Sequence, residues 1–325
     1  MSKILLDSGA YTAYTKGTYV DIDKYIQFLK DHGNLFEAAI NLDVIGSPEG
    51  SWKNYKYIRD AGLEPMPVYH NGAPDKYLKR YLRYTDYIGF GAIANLDTKQ
   101  RNMGLRRIWD QYLRNEDGTP KLRVHGLGLT AVRIMNKFPW FSVDSASCVK
   151  AASFGKIYLP INPDGDIRNI DLFGVSDQGV HESGKITSVF SASKGLYDKY
   201  VDLIERNGFK LGSIQGRKKR PRRCRPDEES KSYPSFNLVP EKEEEDEPNL
   251  SNDYKERYKF NLTMWEQIAA HPSNSIEVYH VCSSPQHIRL LKEVCGDPKI
   301  LVSYLQMSKS MMKEIKKMKG ELDEN

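Results

Sequence analysis

Cysteine is scarce, with four in 325 residues and at irregular spacing. No disulfide framework follows from such a pattern, and a reduced, cytoplasmic compartment is the expectation. Long apolar runs are also missing. Nothing approaches the roughly 18 residues of a membrane-spanning segment. Met1-Ser2-Lys3 leads into a short apolar stretch without the core of a signal peptide. No membrane partner is therefore expected. No glycine-rich dinucleotide fingerprint follows a strand, which argues against a Rossmann sheet. No segment recurs with the period of a solenoid. Charge of one sign is in only mild excess, and a net +5 permits a polyanionic partner.

What is present is enough apolar material for a large core. Hydrophobic residues make up 39% and aromatics 11%, which excludes a disordered chain. The length suits one large domain or two small ones, and a single α/β barrel takes roughly 250 residues or more with insertions.

Along the chain, apolar runs alternate with helical spacing. Ile4 to Leu6 reads as a first strand, and Ile22, Tyr25, Ile26 and Leu29 lie on one face of a helix stopped by Gly33. Leu35 to Leu42 is the second strand. Ser47-Pro48-Glu49 then opens a helix with a cap and a proline at its first position. Pro65 to Tyr69, Tyr87 to Ile93, Leu122 to Gly128 and Phe141 to Val143 are four more strands, with helices between them and Thr130 capping the fifth. Six βα units of this kind predict parallel strands and a (β/α)8 TIM-type barrel with insertions. Ile157 to Ile161 is read as the seventh strand and Ile276 to Val281 as the last one of the barrel, followed by a short strand, Ile300 to Tyr304. Residues 163 to 187 look like an excursion of turns and short strands.

One barrel domain over residues 1–325 is expected, with an irregular C-terminal part. Residues 215–250 hold a basic run, Arg217 to Arg225, and an acidic run, Glu241 to Glu247, and read as a flexible charged insertion. The basic run is either a footprint for phosphates or a solvated loop neutralised by the acids downstream. A lysine-rich helix, Ser308 to Leu322, fills most of the basic segment 308–325. Its Lys309, Lys313, Lys316, Lys317 and Lys319 offer a second cationic face.

Three strands run into an aspartate: Asp7 before Ser8-Gly9, Asp43 after Ala38 to Leu42, and Asp144 after Phe141 to Val143. In a barrel the βα loops form the active mouth, so these acids, with His70 and Gly91, are expected there. Paired carboxylates can divide labour: one stays ionised as a nucleophile while its neighbour, its pKa raised, moves a proton. The residues alone leave open glycosyl transfer, metal-assisted hydrolysis and simple capping or turn roles for each aspartate. A barrel hydrolase and a non-catalytic nucleic-acid-binding accessory protein are therefore rival classes. His280-x-Cys282-x4-His287 with Cys295 supplies four donors of the kind a structural zinc takes. Buried cysteines are the more ordinary reading of that pattern.

The order of motifs resembles the guanine transglycosylase family: the tRNA-guanine transglycosylases and their phage relatives that modify DNA. The family's Asp-Ser-Gly-Gly-Phe is matched by Asp7-Ser8-Gly9-Ala10-Tyr11, and its next strand-end aspartate by Asp43. Its Val-Gln-Gly-Gly is matched by Val68-Tyr69-His70-Asn71-Gly72, and its Ile-Gly-Gly-Leu-Ala by Ile88-Gly89-Phe90-Gly91-Ala92. Its Met-Gly-Val-Gly-Thr resembles His125-Gly126-Leu127-Gly128-Leu129-Thr130, and its Phe-Asp-Cys-Val resembles Val143-Asp144-Ser145-Ala146. The resemblance covers Ile4 to Ser147 and is nearer to the phage enzymes that insert 7-deazaguanine into DNA.

What it implies is base exchange. Asp144 would be the nucleophile and Asp7 would handle the purine proton. Asp43 and His70 would read the base edge, the Gly91 backbone would lie against the heterocycle, and Ser8 would face the sugar-phosphate. Gly126, in its matching element, joins the substrate-binding set. The expected partners are DNA and a 7-deazaguanine base such as 7-cyano-7-deazaguanine, with tRNA as the alternative polynucleotide and the cytoplasm of a phage host as the compartment. No cofactor is required for such chemistry. The tRNA enzymes carry a Cys-x-Cys-x2-Cys zinc triplet that this chain lacks, which favours DNA.

Overall fold

Side-chain alternation within short strands decides what this fold can place at its centre. The structure is a computed structural model and describes residues 2–91, 98–129, 131–176, 188–213, 247–271 and 276–322. The strands β1 (Lys3–Asp7), β2 (Ala38–Ala39), β3 (Val68–His70), β4 (Tyr87–Gly91), β5 (Arg123–Gly126) and β6 (Ser142–Ser145) follow in chain order. A pair, β7 (Lys156–Pro160) and β8 (Ile170–Gly174), then precedes β9 (Glu277–Cys282) and β10 (Lys299–Ser303). Eight of them form one parallel sheet in the order β2-β1-β10-β9-β6-β5-β4-β3. A parallel bridge between Ile40 and Met66 joins the chain beyond β2 to the chain entering β3, the two edges of that sheet. The result is a curled, all-parallel α/β sheet consistent with a TIM-like barrel.

Two apolar clusters lie on opposite faces of the sheet. Leu5, Ile40, Met66, Val68, Tyr87, Tyr279 and Leu301 meet on the concave side. Ile4, Leu6, Ile88, Val124, Val143 and Val302, the alternate residues, pack outward against the helices. Residues two along from the concave set, such as Asp7 after Leu5 and His70 after Val68, therefore share its face.

The helices start where local chemistry dictates. In α1 (Ala10–Thr15) the chain enters through Gly9, at φ 80. Asp21 caps α2 (Ile22–His32) through the N–H groups of Asp23 and Lys24, and Ser47 caps α3 (Pro48–Asp60), whose first residue is the expected proline. The next are α4 (Asp75–Tyr81), α5 (Thr98–Ile108), α6 (Val132–Met135), α7 (Ser147–Ser153) and α8 (Lys194–Arg206). The series ends with α9 (Tyr254–Ala269), α10 (Pro285–Cys295) and α11 (Lys309–Met318). Among the described residues no helix is long and apolar enough to cross a membrane.

Two expectations are corrected. The strand at Lys156–Pro160 does not join the barrel-like sheet; it pairs antiparallel with Ile170–Gly174. The seventh and eighth strands are instead Glu277–Cys282, beside β6, and Lys299–Ser303, which pairs with β1. The physical reason is a second apolar cluster. Ile157, Leu159, Phe173, Val189, Tyr200 and Ile204 bury one another together with Phe260 and Met264 of α9. The excursion thus satisfies its own core instead of extending the sheet. The basic run 217–225, the first six residues of the acidic run, Thr130 and the Ala92-Ile93 strand end lie outside the described residues. The lysine-rich helix is present, with Met311, Ile315 and Met318 buried.

Asn261 of α9 ties the hairpin strand β7 to α7. Its side chain is fully buried, donates to the carbonyls of Cys148 and Lys156, and accepts from the N–H of Tyr158 at 2.8 Å. Asn261→Ala strands those buried groups and is expected to cost about 3 kcal/mol. Urea unfolding followed by circular dichroism, showing a lowered midpoint at an unchanged slope, checks this.

Candidate active site

Asp7 closes β1 and turns its carboxylate into the concave face. The chain leaves it through Ser8 and Gly9, and the Gly9 N–H donates to Asp7 Oδ2 at 3.1 Å. Gly9 is obligatory there. Its backbone is left-handed, and a Cβ would stand 2.7 Å from Leu305 Cγ. Burial pushes the Asp7 carboxyl up to about 6, and the charges of Asp144 and Asp43 add to that rise, while the Gly9 N–H opposes it. Asp7, Asp43 and Asp144 therefore share one electrostatic neighbourhood.

Asp144 is buried within β6, at 7% exposure. Its Oδ1 accepts the Gly128 N–H at 2.9 Å and lies 3.1 Å from His125 Nε2. Gly128, at φ 63, turns its N–H toward that oxygen. A carboxylate held by the Gly128 N–H and the His125 ring nitrogen is kept in one orientation at a tolerable burial cost.

Asp43 and His70 form a second pair. His70 Nε2 lies 3.0 Å from Asp43 Oδ2, and Asn41 donates to Asp43 Oδ1 at 3.0 Å. Burial pulls the His70 pKa down, but the hydrogen bond and charge of Asp43 outweigh it, and the imidazole sits above its ordinary value. Gly91 pairs with His70 in register, and a Cβ on Gly91 would come 2.9 Å from His70 Nδ1. The missing side chain lets the imidazole lie directly against the Gly91 backbone.

Two members of the expected set take other roles. Ser8 is buried and donates to the Asn41 carbonyl at 3.0 Å, so its hydroxyl splints β1 to the chain after β2. Gly126 faces away from the concave side: a Cβ there would meet Leu129 and Val143 of the outer core. Gly128, two residues on, is the glycine that touches Asp144. The zinc quartet is also not assembled. His280 Nε2 bonds Glu266, and His287 places its two ring nitrogens against Ser283 and Tyr254. Among the described residues no group of three or more His, Cys, Asp or Glu side chains is placed to hold a metal ion. Cys282 is buried, and burial raises its thiol pKa.

Sequence reasoning missed His125, Ser142 and Asn41 as parts of the site. The signal was the two-residue period: His125 shares a strand face with Arg123, and Ser142 shares one with Asp144.

No family model matches the chain, and no curated protein or solved structure does either.

The fold holds the Asp7 proton between about pH 4, where an unfolded aspartate releases it, and about 6. The folded chain binds more protons across that interval, so stability falls as pH rises through it. Asp7→Asn removes the cost. The variant is expected to exceed the wild type by about 2–3 kcal/mol at pH 8 and to match it near pH 4. Paired urea titrations at the two pH values test the sign.

Proposed function

We propose that this chain is a DNA guanine transglycosylase, a pentosyltransferase that replaces guanine with a 7-deazaguanine through an aspartyl-glycosyl intermediate, on a closed (β/α)8 barrel. The observation that carries the reading is the unequal pair of acids. Asp144 is oriented by the Gly128 N–H and the His125 ring nitrogen, and Asp7 beside it has a pKa lifted to about 6 by burial and by the Asp144 charge. That is the division between nucleophile and proton carrier that base exchange needs. The motif order from Ile4 to Ser147 supports the same reading.

In the first half-reaction Asp144 attacks the anomeric carbon, the bond from that carbon to the purine nitrogen breaks, and Asp7 gives the departing guanine a proton. In the second, the 7-deazaguanine loses its ring proton to Asp7 and its nitrogen attacks the same carbon. The ester bond to Asp144 breaks and the carboxylate returns. Atoms and charge balance over the cycle without a cofactor. Base reading falls to His70 more than to Asp43, because both Asp43 oxygens are engaged while His70 Nδ1 lies beside the bare Gly91 backbone. The nucleotide must leave the duplex to reach such a mouth, at an unstacking cost of a few kcal/mol. A modest positive net charge helps hold the phosphates.

Asp144→Asn is expected to abolish a denaturation-resistant DNA adduct while DNA affinity stays within about twofold of wild type. Gel analysis after incubation with guanine-containing DNA decides it, and an undiminished adduct in the variant ends the nucleophile assignment. Nucleoside mass analysis of DNA and tRNA offered together with 7-cyano-7-deazaguanine should show incorporation into the DNA; exchange confined to tRNA ends the DNA assignment. Gly91→Ala is expected to raise the half-saturating base concentration about tenfold, measured by guanine exchange.

A further inference from the structure

Behind Asp144 a line of polar groups descends the concave face. His125 Nε2 is 3.1 Å from Asp144 Oδ1, and His125 Nδ1 is 2.7 Å from Ser142 Oγ. Ser142 Oγ is in turn 2.7 Å from the Tyr87 hydroxyl. His125 and Ser142 are wholly shielded from solvent. The members come from three neighbouring strands, with His125 of β5 in register with Ser142 of β6, and Tyr87 at the start of β4. Aromatic rings wall the line: Tyr279 stands edge-on to the imidazole at 6.1 Å and Phe141 edge-on to Tyr87 at 5.5 Å. At its far end Tyr87 lines a cavity of about 560 Å³ at the N-terminal ends of the strands, the end away from the acids.

The direction of the hydrogens follows from chemistry. An ionised carboxylate only accepts, so Nε2 must carry the hydrogen that it shares with Asp144. A neutral imidazole then has its acceptor at Nδ1. Ser142 must donate to Nδ1, and its oxygen must accept from the Tyr87 O–H. Run this way, every buried donor in the line has an acceptor. Run in reverse, the imidazole is cationic and the Tyr87 hydrogen is left without an acceptor in the line.

We propose that His125 is a positioning residue for Asp144, with its tautomer set by the carboxylate and its ring held in place by Ser142 and, through it, Tyr87. The line binds Oδ1 together with the Gly128 N–H and leaves Oδ2 as the attacking oxygen. The tautomer rests on the hydrogen-bonded line and an ionised Asp144; the identity of the attacked atom rests on the transglycosylase reading. Once the ester forms, Oδ1 is its carbonyl oxygen, and the same two N–H groups stabilise the carboxylate as it leaves in the second half-reaction.

The test is nitrogen NMR on the full chain with labelled histidine at pH 8, with the His125 signals assigned by their loss in His125→Asn. The expected result is a protonated Nε2 and a bare Nδ1 in the wild type, and a retained tautomer with a shifted Nδ1 signal both in Ser142→Ala, which loses the donor to Nδ1, and, by less, in Tyr87→Phe. A proton on Nδ1 in the wild type overturns the proposal. In the adduct assay Ser142→Ala is expected to slow adduct formation roughly tenfold without moving the half-saturating DNA concentration, and an unaltered rate overturns the positioning role. A wild type with the expected tautomer but no adduct on any DNA removes the base-exchange reading and leaves the tautomer assignment standing.

Discussion

Three carboxylates cannot be drawn together in a poorly solvated mouth without a consequence for their protons. Here the consequence falls on Asp7. Asp144 and Asp43 each have dedicated donors, His125 with Gly128 for one and Asn41 with His70 for the other. Asp7 has the Gly9 N–H, which does not offset burial and two neighbouring charges. Burial and those two charges raise the Asp7 pKa to about 6. Acids of one residue type thus sit in different hydrogen-bonding surroundings, the kind of difference the proposed function requires.

Much of this was legible in the chain. Asp7 at the end of β1 and Asp144 in β6 were visible because each apolar run stops at an acid, and Ser47-Pro48 marked a helix start through capping chemistry; the expected strand Leu35 to Leu42 shrinks to Ala38–Ala39, so Asp43 lies on the chain beyond it. The place of the seventh strand was not. Lys156–Pro160 and Glu277–Cys282 are both short and apolar, and nothing local distinguishes a strand of the main sheet from one that pairs with its own hairpin partner. That choice is made by Phe260 and Met264, a hundred residues downstream, which cover the hairpin.

The role of single glycines and polar residues was equally hidden. Gly126 and Gly128 are indistinguishable as letters, yet one packs against Leu129 and Val143 while the other hands its N–H to Asp144. Ser142, His125 and Tyr87 are distant in sequence and meet only through strand register. Register is a property of the assembled sheet, so a reading strand by strand cannot supply it. The four candidate zinc donors fail for the related reason that strand and helix send His280 and His287 to different partners.

The pairing of β6 with β9 has a bearing on how the molecule is made. Ser142 and Glu277 are neighbours, although the whole hairpin excursion separates them. Such a contact has a high sequence separation, and the entropy of closing that loop must be met before any of its pairing is gained. On a ribosome the first six strands emerge with the free edges of β1 and β6 awaiting partners from the last fifty residues. Until those arrive, the unpaired edges are open to other chains. A nascent chain of this topology is thus a natural client for factors that shield exposed strands, and truncation near its C-terminus would injure the start of the sheet as much as its end.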